Sequence, residues 1–280
     1  MPASDRNLPV AVFDSGVGGL TVLHECLVSL PHEDFLYLGD TARFPYGDRS
    51  AGELGEFARE LARILLDEGA KLLVVACNSA TSAALPALRD ELAARAPVVG
   101  VVRPESRLAA AATRNGRVGL LATPATVASA AYERALRGTA PKAELHAVAS
   151  DELAPLIQAG GEVDGRVLAC VDDACGPLRA AGVDTVILGC THYPLVRPML
   201  QRALGRGVTI VSSGEAIAQE VEAELRRDEI EREDTERRGS YSFLATGDPE
   251  EFRRLGTRFL QLPIESVKHV DIESGRRVAA

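Results

Sequence analysis

The chain has 280 residues, 46% of them apolar and 25% charged, with a net charge of −9. That composition belongs to one large or two ordinary packed domains and not to a disordered chain. The negative balance excludes non-specific nucleic-acid binding, which needs a basic face, and no apolar run approaches the ~18 residues that span a bilayer, so no membrane partner is expected.

The N-terminal MPASDRNLPV lacks an apolar h-region, so no secretory signal is read and a soluble, cytoplasmic protein is expected. VAVFD (Val10 to Asp14) is the first predicted strand and runs into Asp14-Ser15-Gly16-Val17-Gly18-Gly19. Asp14 reads equally as N-cap of a helix starting near Val17 and as a chemical group. The glycines do not make G-x-G-x-x-G, since Thr21 breaks the spacing; close helix–strand packing or substrate approach explains them better. FLYLGD (Phe35 to Asp40) is the second strand. The following Phe44-Pro45-Tyr46-Gly47 is either a surface turn or a loop that sets Tyr46 against a ligand. AGELGEFARELARILLDEGA has a helical pattern ending near Gly69. KLLVVA (Lys71 to Ala76) is the third strand and leads through Cys77-Asn78-Ser79 into the helix TSAALPALRDELAARA.

PVVGVV (Pro97 to Val102) and RVGLLAT (Arg117 to Thr123) are the next strands, the latter opening onto Thr123-Pro124-Ala125-Thr126. DTVILG (Asp184 to Gly189) leads into Cys190-Thr191-His192. The charge-dense stretch Glu224 to Arg238 reads as a solvated helix end or loop. Asp248 before Pro249 reads as the N-cap of a late helix. The β-α-β-α rhythm predicts an α/β fold of mostly parallel sheets flanked by helices, with right-handed crossovers. A strand followed by small polar residues, and later a strand followed by Cys, occurs in that order twice. Two pseudo-symmetric domains are therefore expected, 1–99 plus 212–280 and 100–211, with the site at their interface.

Ligands of open α/β sheets bind beyond the carboxyl ends of the strands, where these motifs lie. Each also opens a helix, whose free N–H groups suit a carboxylate and are expected to lower a thiol pKa. The five cysteines (Cys26, Cys77, Cys170, Cys175, Cys190) are odd in number and form no C-x-x-C pair, so free thiols and no metal site are expected. Cys26, Cys170 and Cys175 lie within helical patterns and are assigned to packing. Cys77 and Cys190 occupy matching strand-to-helix positions. Two thiols facing one carbon suit removal of an α-proton from one face and its return on the other, since thiol and thiolate are one group in two states. Asp14 is the expected assistant of Cys77, and His192 of Cys190. Lysine occurs only at Lys71, Lys142 and Lys268, none at a strand end, so a Schiff-base cofactor is not expected.

FDSGVGGLTV (Phe13 to Val22), YLGDTARFPYGDRS (Tyr37 to Ser50), ACNSAT (Ala76 to Thr81), GLLATPATVAS (Gly119 to Ser129) and GCTHYPL (Gly189 to Leu195) together resemble the glutamate racemases of the aspartate/glutamate racemase superfamily. The resemblance runs from about residue 10 to about residue 215. It implies cofactor-free conversion of L-glutamate to D-glutamate for peptidoglycan. Cys77 and Cys190 would be the acid/base thiols, with Asp14 and His192 assisting. The substrate would meet Asp14, Ser15, Pro45, Tyr46, Gly47, Cys77, Asn78, Ser79, Thr123, Thr126, Cys190, Thr191 and His192. Homodimers are common among such enzymes, so a homodimer belongs to the expectation. Several positions depart from the pattern. Gln158 replaces the usual Glu that pairs with the histidine, which weakens support for a charged imidazole; Glu152 is the nearest acid in sequence that could compensate. The usual Cys-Pro start of that segment reads Asp151-Glu152-Leu153. The usual Gly-Val-x-Glu-Pro-Gly reads Gly100-Val101-Val102-Arg103-Pro104-Glu105, the late Asp-Ser-Gly reads Ser212-Ser213-Gly214, and Ser79 replaces Thr. The alternatives are a racemase of aspartate or another amino acid, and a catalytically weakened binding homologue.

Overall fold

Apolar runs without alternation demand strands covered on both faces, and the computed structural model, which describes residues 6–160, 165–272 and 276–277, arranges them so. The first stretch runs β1 (Val10–Asp14), α1 (Leu20–Ser29), β2 (Phe35–Gly39), α2 (Ala51–Asp67), β3 (Leu72–Val75), α3 (Asn78–Leu92) and β4 (Val98–Gly100). The second runs α4 (Val102–Ala112), β5 (Arg117–Ala122), α5 (Pro124–Ala128), α6 (Ala131–Thr139), β6 (Glu144–Ala149), α7 (Leu153–Ala159), α8 (Gly165–Ala180), β7 (Thr185–Gly189), α9 (Arg197–Leu204) and β8 (Thr209–Val211). The chain ends with α10 (Ser213–Arg227), β9 (Tyr241–Ala245), α11 (Pro249–Leu260), β10 (Lys268–Asp271) and β11 (Arg276–Arg277).

Among the described residues one sheet has seven strands in the order β11-β10-β9-β2-β1-β3-β4, the other four in the order β6-β5-β7-β8. All pairings are parallel except β10 with β11. Every residue of β1, β2, β3 and β7 is buried. The orders place a reversal in each sheet. From β1 the chain steps to β2 on one side, and from β3 to β4 on the other. From β5 it steps to β6 on one side, and from β7 to β8 on the other. A crevice opens at such a reversal, beyond the strand ends. Cys77 follows β3 at the first reversal and Cys190 follows β7 at the second.

Three expectations change. The fourth strand stops at Gly100, and Val102 already opens α4, with Pro104 in its first turn where a missing N–H costs nothing. The segment 224–238 is not merely solvated: Ile230 is wholly buried, the buried Arg232 side chain pairs with Asp34, and Arg237 reaches the same carboxylate at 2.8 Å. Helix α1 starts at Leu20 and not near Val17. Asp248 does cap α11, accepting from the N–H groups of Glu250 and Glu251. Lys71 lies at the start of β3, away from the strand ends, and pairs with Glu33 at 2.5 Å. No helix among the described residues is long and apolar enough to cross a membrane.

Candidate active site

The two crevices face one another across a single cavity of about 220 Å³. That volume is small beside the roughly 300–1,000 Å³ of drug-sized pockets, so it suits a small metabolite. Ser15, Pro45, Tyr46, Gly47, Cys77, Asn78, Ser79, Thr123, Cys190, Thr191 and His192 all line it. Asp14 and Thr126, expected among the ligand-contacting residues, are fully buried and stand behind that wall. Phe44, Asp48, Asp151, Ala154, Pro155 and Gly189 complete the lining and were not among the expected substrate contacts.

Cys77 is the N-cap of α3, and its sulfur accepts from the Ala80 N–H at 3.5 Å. The first amides of that helix, on Asn78 and Ser79, have no intrahelical acceptor. Beside them Ser79 Oγ stands 2.8 Å from Thr123 Oγ1 and 3.2 Å from Thr126 Oγ1. Thr123 caps α5 through the Thr126 N–H. The hydroxyl cluster thus joins two helix starts, one after each sheet's central strands. It gives an anionic group hydroxyl and N–H donors with no lysine or arginine on the wall.

Asp14 ends β1, and its carboxylate accepts from the Gly16 N–H at 3.1 Å and the Thr191 hydroxyl at 3.3 Å. The Thr21 hydroxyl donates to the Thr191 carbonyl at 3.1 Å. The glycine run makes this possible. A Cβ on Gly19 would stand 2.5 Å from Asp14 Cβ, and one on Gly18 would stand 2.4 Å from Thr191 Oγ1. The turn Phe44 to Gly47 is held from behind: the Tyr46 hydroxyl donates to Asp40, Arg43 Nε reaches the same carboxylate at 2.7 Å, and the Gly47 carbonyl accepts from the Ala125 N–H at 2.8 Å. Tyr46 is buried and lines the cavity, so the turn is a wall of the site and not a free surface loop.

Cys190 Sγ lies 3.8 Å from His192 Nδ1, and His192 Nε2 lies 2.9 Å from Gln158 Oε1. With the Gln158 oxygen as acceptor, Nε2 carries the proton and Nδ1 is left to accept from the thiol. The imidazole is clamped between Phe44 and Phe259, with ring centroids at 5.4 and 5.2 Å. Burial pushes its pKa down to about 3. Glu152 is exposed, and the side chain bonded to His192 Nε2 is Gln158 itself, so the acid suggested by sequence does not take its place.

The thiols depart from the expectation set by their helix N-termini. Burial raises Cys77 to about 12, helped by the negative charge of Asp14 and only partly offset by the Ala80 and Ser15 donors. Burial raises Cys190 further, against the His192 N–H. A helix terminus contributes ~0.3–1 kcal/mol, less than the loss of water around a buried thiolate, so burial wins. Asp14 rises to about 6, again by burial, against the Gly19 and Gly16 amides and the Thr191 hydroxyl. Cys26 and Cys175 are buried in α1 and α8, and half-buried Cys170 faces Ser150, so none of the three enters the cavity.

The His192 shift has a testable sign. The unfolded imidazole takes up a proton near pH 6.5 and the native one only near pH 3. The unfolded state therefore binds more protons between these values, and native stability falls as pH drops through that window. The His192 ring resonances are expected to stay flat above pH 5 in an NMR titration. Gln158→Glu is expected to bring the titration into that range, because a carboxylate stabilises the imidazolium. A wild-type midpoint near 6.5 would contradict a buried neutral ring.

The family model described as Asp/Glu/hydantoin racemase matches residues 30–221. A glutamate racemase of Beutenbergia cavernae is 45% identical over 268 residues, covering 92% of this chain and 91% of the relative. The crystal structure of a glutamate racemase isoform from Bacillus anthracis superposes with a TM-score of 0.90 at 38% identity, covering 95% of this chain and 98% of that one. A glutamate racemase from Francisella tularensis, in complex with D-glutamate, superposes with a TM-score of 0.88 at 29% identity, covering 96% and 99%.

Proposed function

The chain belongs to the Asp/Glu/hydantoin racemase family and is an amino-acid racemase of the glutamate racemase type, and on that premise we propose that it inverts glutamate through Cys77 and Cys190 without a cofactor and supplies D-glutamate for peptidoglycan. One observation carries the mechanism: two strand-end cysteines, one from each sheet's reversal point, line the same small cavity. The domain division 1–99 plus 212–280 and 100–211 belongs to the same reading, since it gives one thiol to each half.

In this mechanism one thiol first yields its proton to its neighbour, Cys77 towards Asp14 or Cys190 towards His192 Nδ1. The resulting thiolate takes the substrate's α-proton, breaking C–H and leaving a carbanion. The opposite thiol gives its proton to the other face of that carbon and becomes the new thiolate. The first assistant still holds the proton it took; the new thiolate serves as base for the reverse direction, and passage of that proton through solvent to the new thiolate restores both thiols. Burial lifts Asp14 to about 6, a better proton acceptor than an ordinary carboxylate but still well below the Cys77 thiol at about 12, so the first transfer is uphill and the thiolate short-lived. The helix start at Asn78 and the Ser79 and Thr123 hydroxyls, backed by Thr126, receive a carboxylate.

The test is α-proton exchange in deuterated water, followed by NMR, on both glutamates and both aspartates without added cofactor. Exchange with inversion of glutamate alone is the expected result. Inversion of aspartate in preference would reassign the substrate. No exchange with any of the four would overturn the catalytic reading.

A further inference from the structure

Asn78 lines the cavity and is 2% exposed. Its Nδ2 is turned to a pair of acceptors, the Tyr132 hydroxyl at 2.7 Å and Glu105 Oε2 at 3.2 Å. The Tyr132 hydroxyl itself donates to that same Oε2. Asn78 Oδ1, by contrast, is buried with no partner among the described residues. A buried amide oxygen left open is uncommon in a folded protein, and a ligand donor is one group that completes it.

Glu105 is wholly buried on α4, where the usual motif has glycine. The Ser213 hydroxyl also acts on its carboxyl. Four elements therefore meet on one side chain: Asn78 from α3, Glu105 from α4, Tyr132 from α6 and Ser213 from α10. Oε2 accepts in either protonation state, because a proton on the carboxyl can occupy Oε1. The arrangement is directional. An amide with a free N–H would bind the carboxylates of an acidic amino acid. With its nitrogen turned to Tyr132 and Glu105, the atom this amide leaves open is an acceptor, and the ammonium group is the donor that an ionised acidic amino acid carries.

We propose that Glu105 is a positioning residue: with Tyr132 it holds the Asn78 amide nitrogen and leaves Oδ1 for the ammonium group of the substrate. The proposal rests on the amino-acid racemase reading. An interaction made equally in ground and transition states changes KM and spares kcat.

The experiment measures initial racemisation rates over a range of glutamate concentrations. Glu105→Leu is expected to raise KM about tenfold, with kcat within about threefold, the scale of one hydrogen bond. Glu105→Gln, which keeps an acceptor oxygen, is expected to restore KM to within about threefold of wild type. If Glu105 acts through Asn78, the double variant Asn78→Ala with Glu105→Leu binds no worse than Asn78→Ala alone. An unchanged KM in Glu105→Leu, a Gln variant as impaired as Leu, or effects that multiply in the double variant would each overturn the proposal. Should Glu105→Leu fail to fold, Tyr132→Phe carries the test: its rise in KM is expected to vanish in the Asn78→Ala background, and persistence there overturns the idea. A wild-type enzyme inert towards both glutamates would instead remove the racemase reading, and the proposal with it.

Discussion

Cys77→Ala and Cys190→Ala are each expected to lower kcat/KM for glutamate racemisation by about 10³-fold or more, in the range of acid/base groups acting directly on the reacting atom. The loss should be lopsided in a specific way. On the proposed mechanism each thiol serves one face of the α-carbon, so the surviving thiol can still lift and return the proton on its own face. Deuterium should enter one enantiomer only in each variant, with retained configuration, and the two variants should select opposite enantiomers. Circular dichroism follows inversion and NMR follows exchange. Both variants acting on the same enantiomer would refute the assignment of the thiols to opposite faces. Residual inversion near the wild-type rate would remove the mutated cysteine from the mechanism.

The second large effect lies outside the thiols. A Cβ added at Gly18 would stand 2.4 Å from Thr191 Oγ1 and 2.5 Å from His192 Nδ1 and Cε1. The imidazole cannot retreat, because Phe44 and Phe259 hold it from two sides. Overpacking of this kind costs ~1–3 kcal/mol, which for a chain of this size lowers Tm by roughly 2–4 °C per kcal/mol. Gly18→Ala is therefore expected to remain folded with Tm several degrees down. It should racemise about 10²-fold more slowly, the scale of a 1 Å misplacement of a reacting group. Gly138→Ala is the control, since nothing lies within 4 Å of a Cβ there. It should leave activity unchanged. Wild-type activity in Gly18→Ala would show that the Cys190 segment yields more easily than its packing implies.

The central strands were legible because doubly buried parallel strands write themselves as unbroken apolar runs, as in VAVFD and TVILG. The strands that sequence reading passed over obey other rules. β6 reads Glu-Leu-His-Ala-Val-Ala on a sheet edge with exposed positions, and β8 has only three residues. The strand-end motifs carried the cavity wall, since parallel topology brings such ends together. What clamps His192 was invisible: Phe44 and Phe259 come from distant segments, and neither sits in a local pattern that names its partner. Gln158 stood out only against the usual motif, and its bond to His192 Nε2 is a tertiary fact. The thiol shift shows the same limit. A helix N-terminus is a local property that lowers a pKa, whereas burial belongs to the assembled fold and outweighs it. Glu105, at a position where the usual motif has glycine, gave no sign in sequence of the buried cluster with Asn78, Tyr132 and Ser213.

The raised thiols of Cys77 and Cys190 bear on survival as well as on turnover. Alkylating agents and peroxides react with the thiolate and not the thiol. At neutral pH the free enzyme holds both sulfurs protonated behind a cavity too small for bulky electrophiles. If turnover depends on these two unpaired cysteines, as proposed, the resting site exposes little oxidisable sulfur. On the proposed two-thiol mechanism the reactive anion is formed only during the proton exchange, with substrate in the cavity.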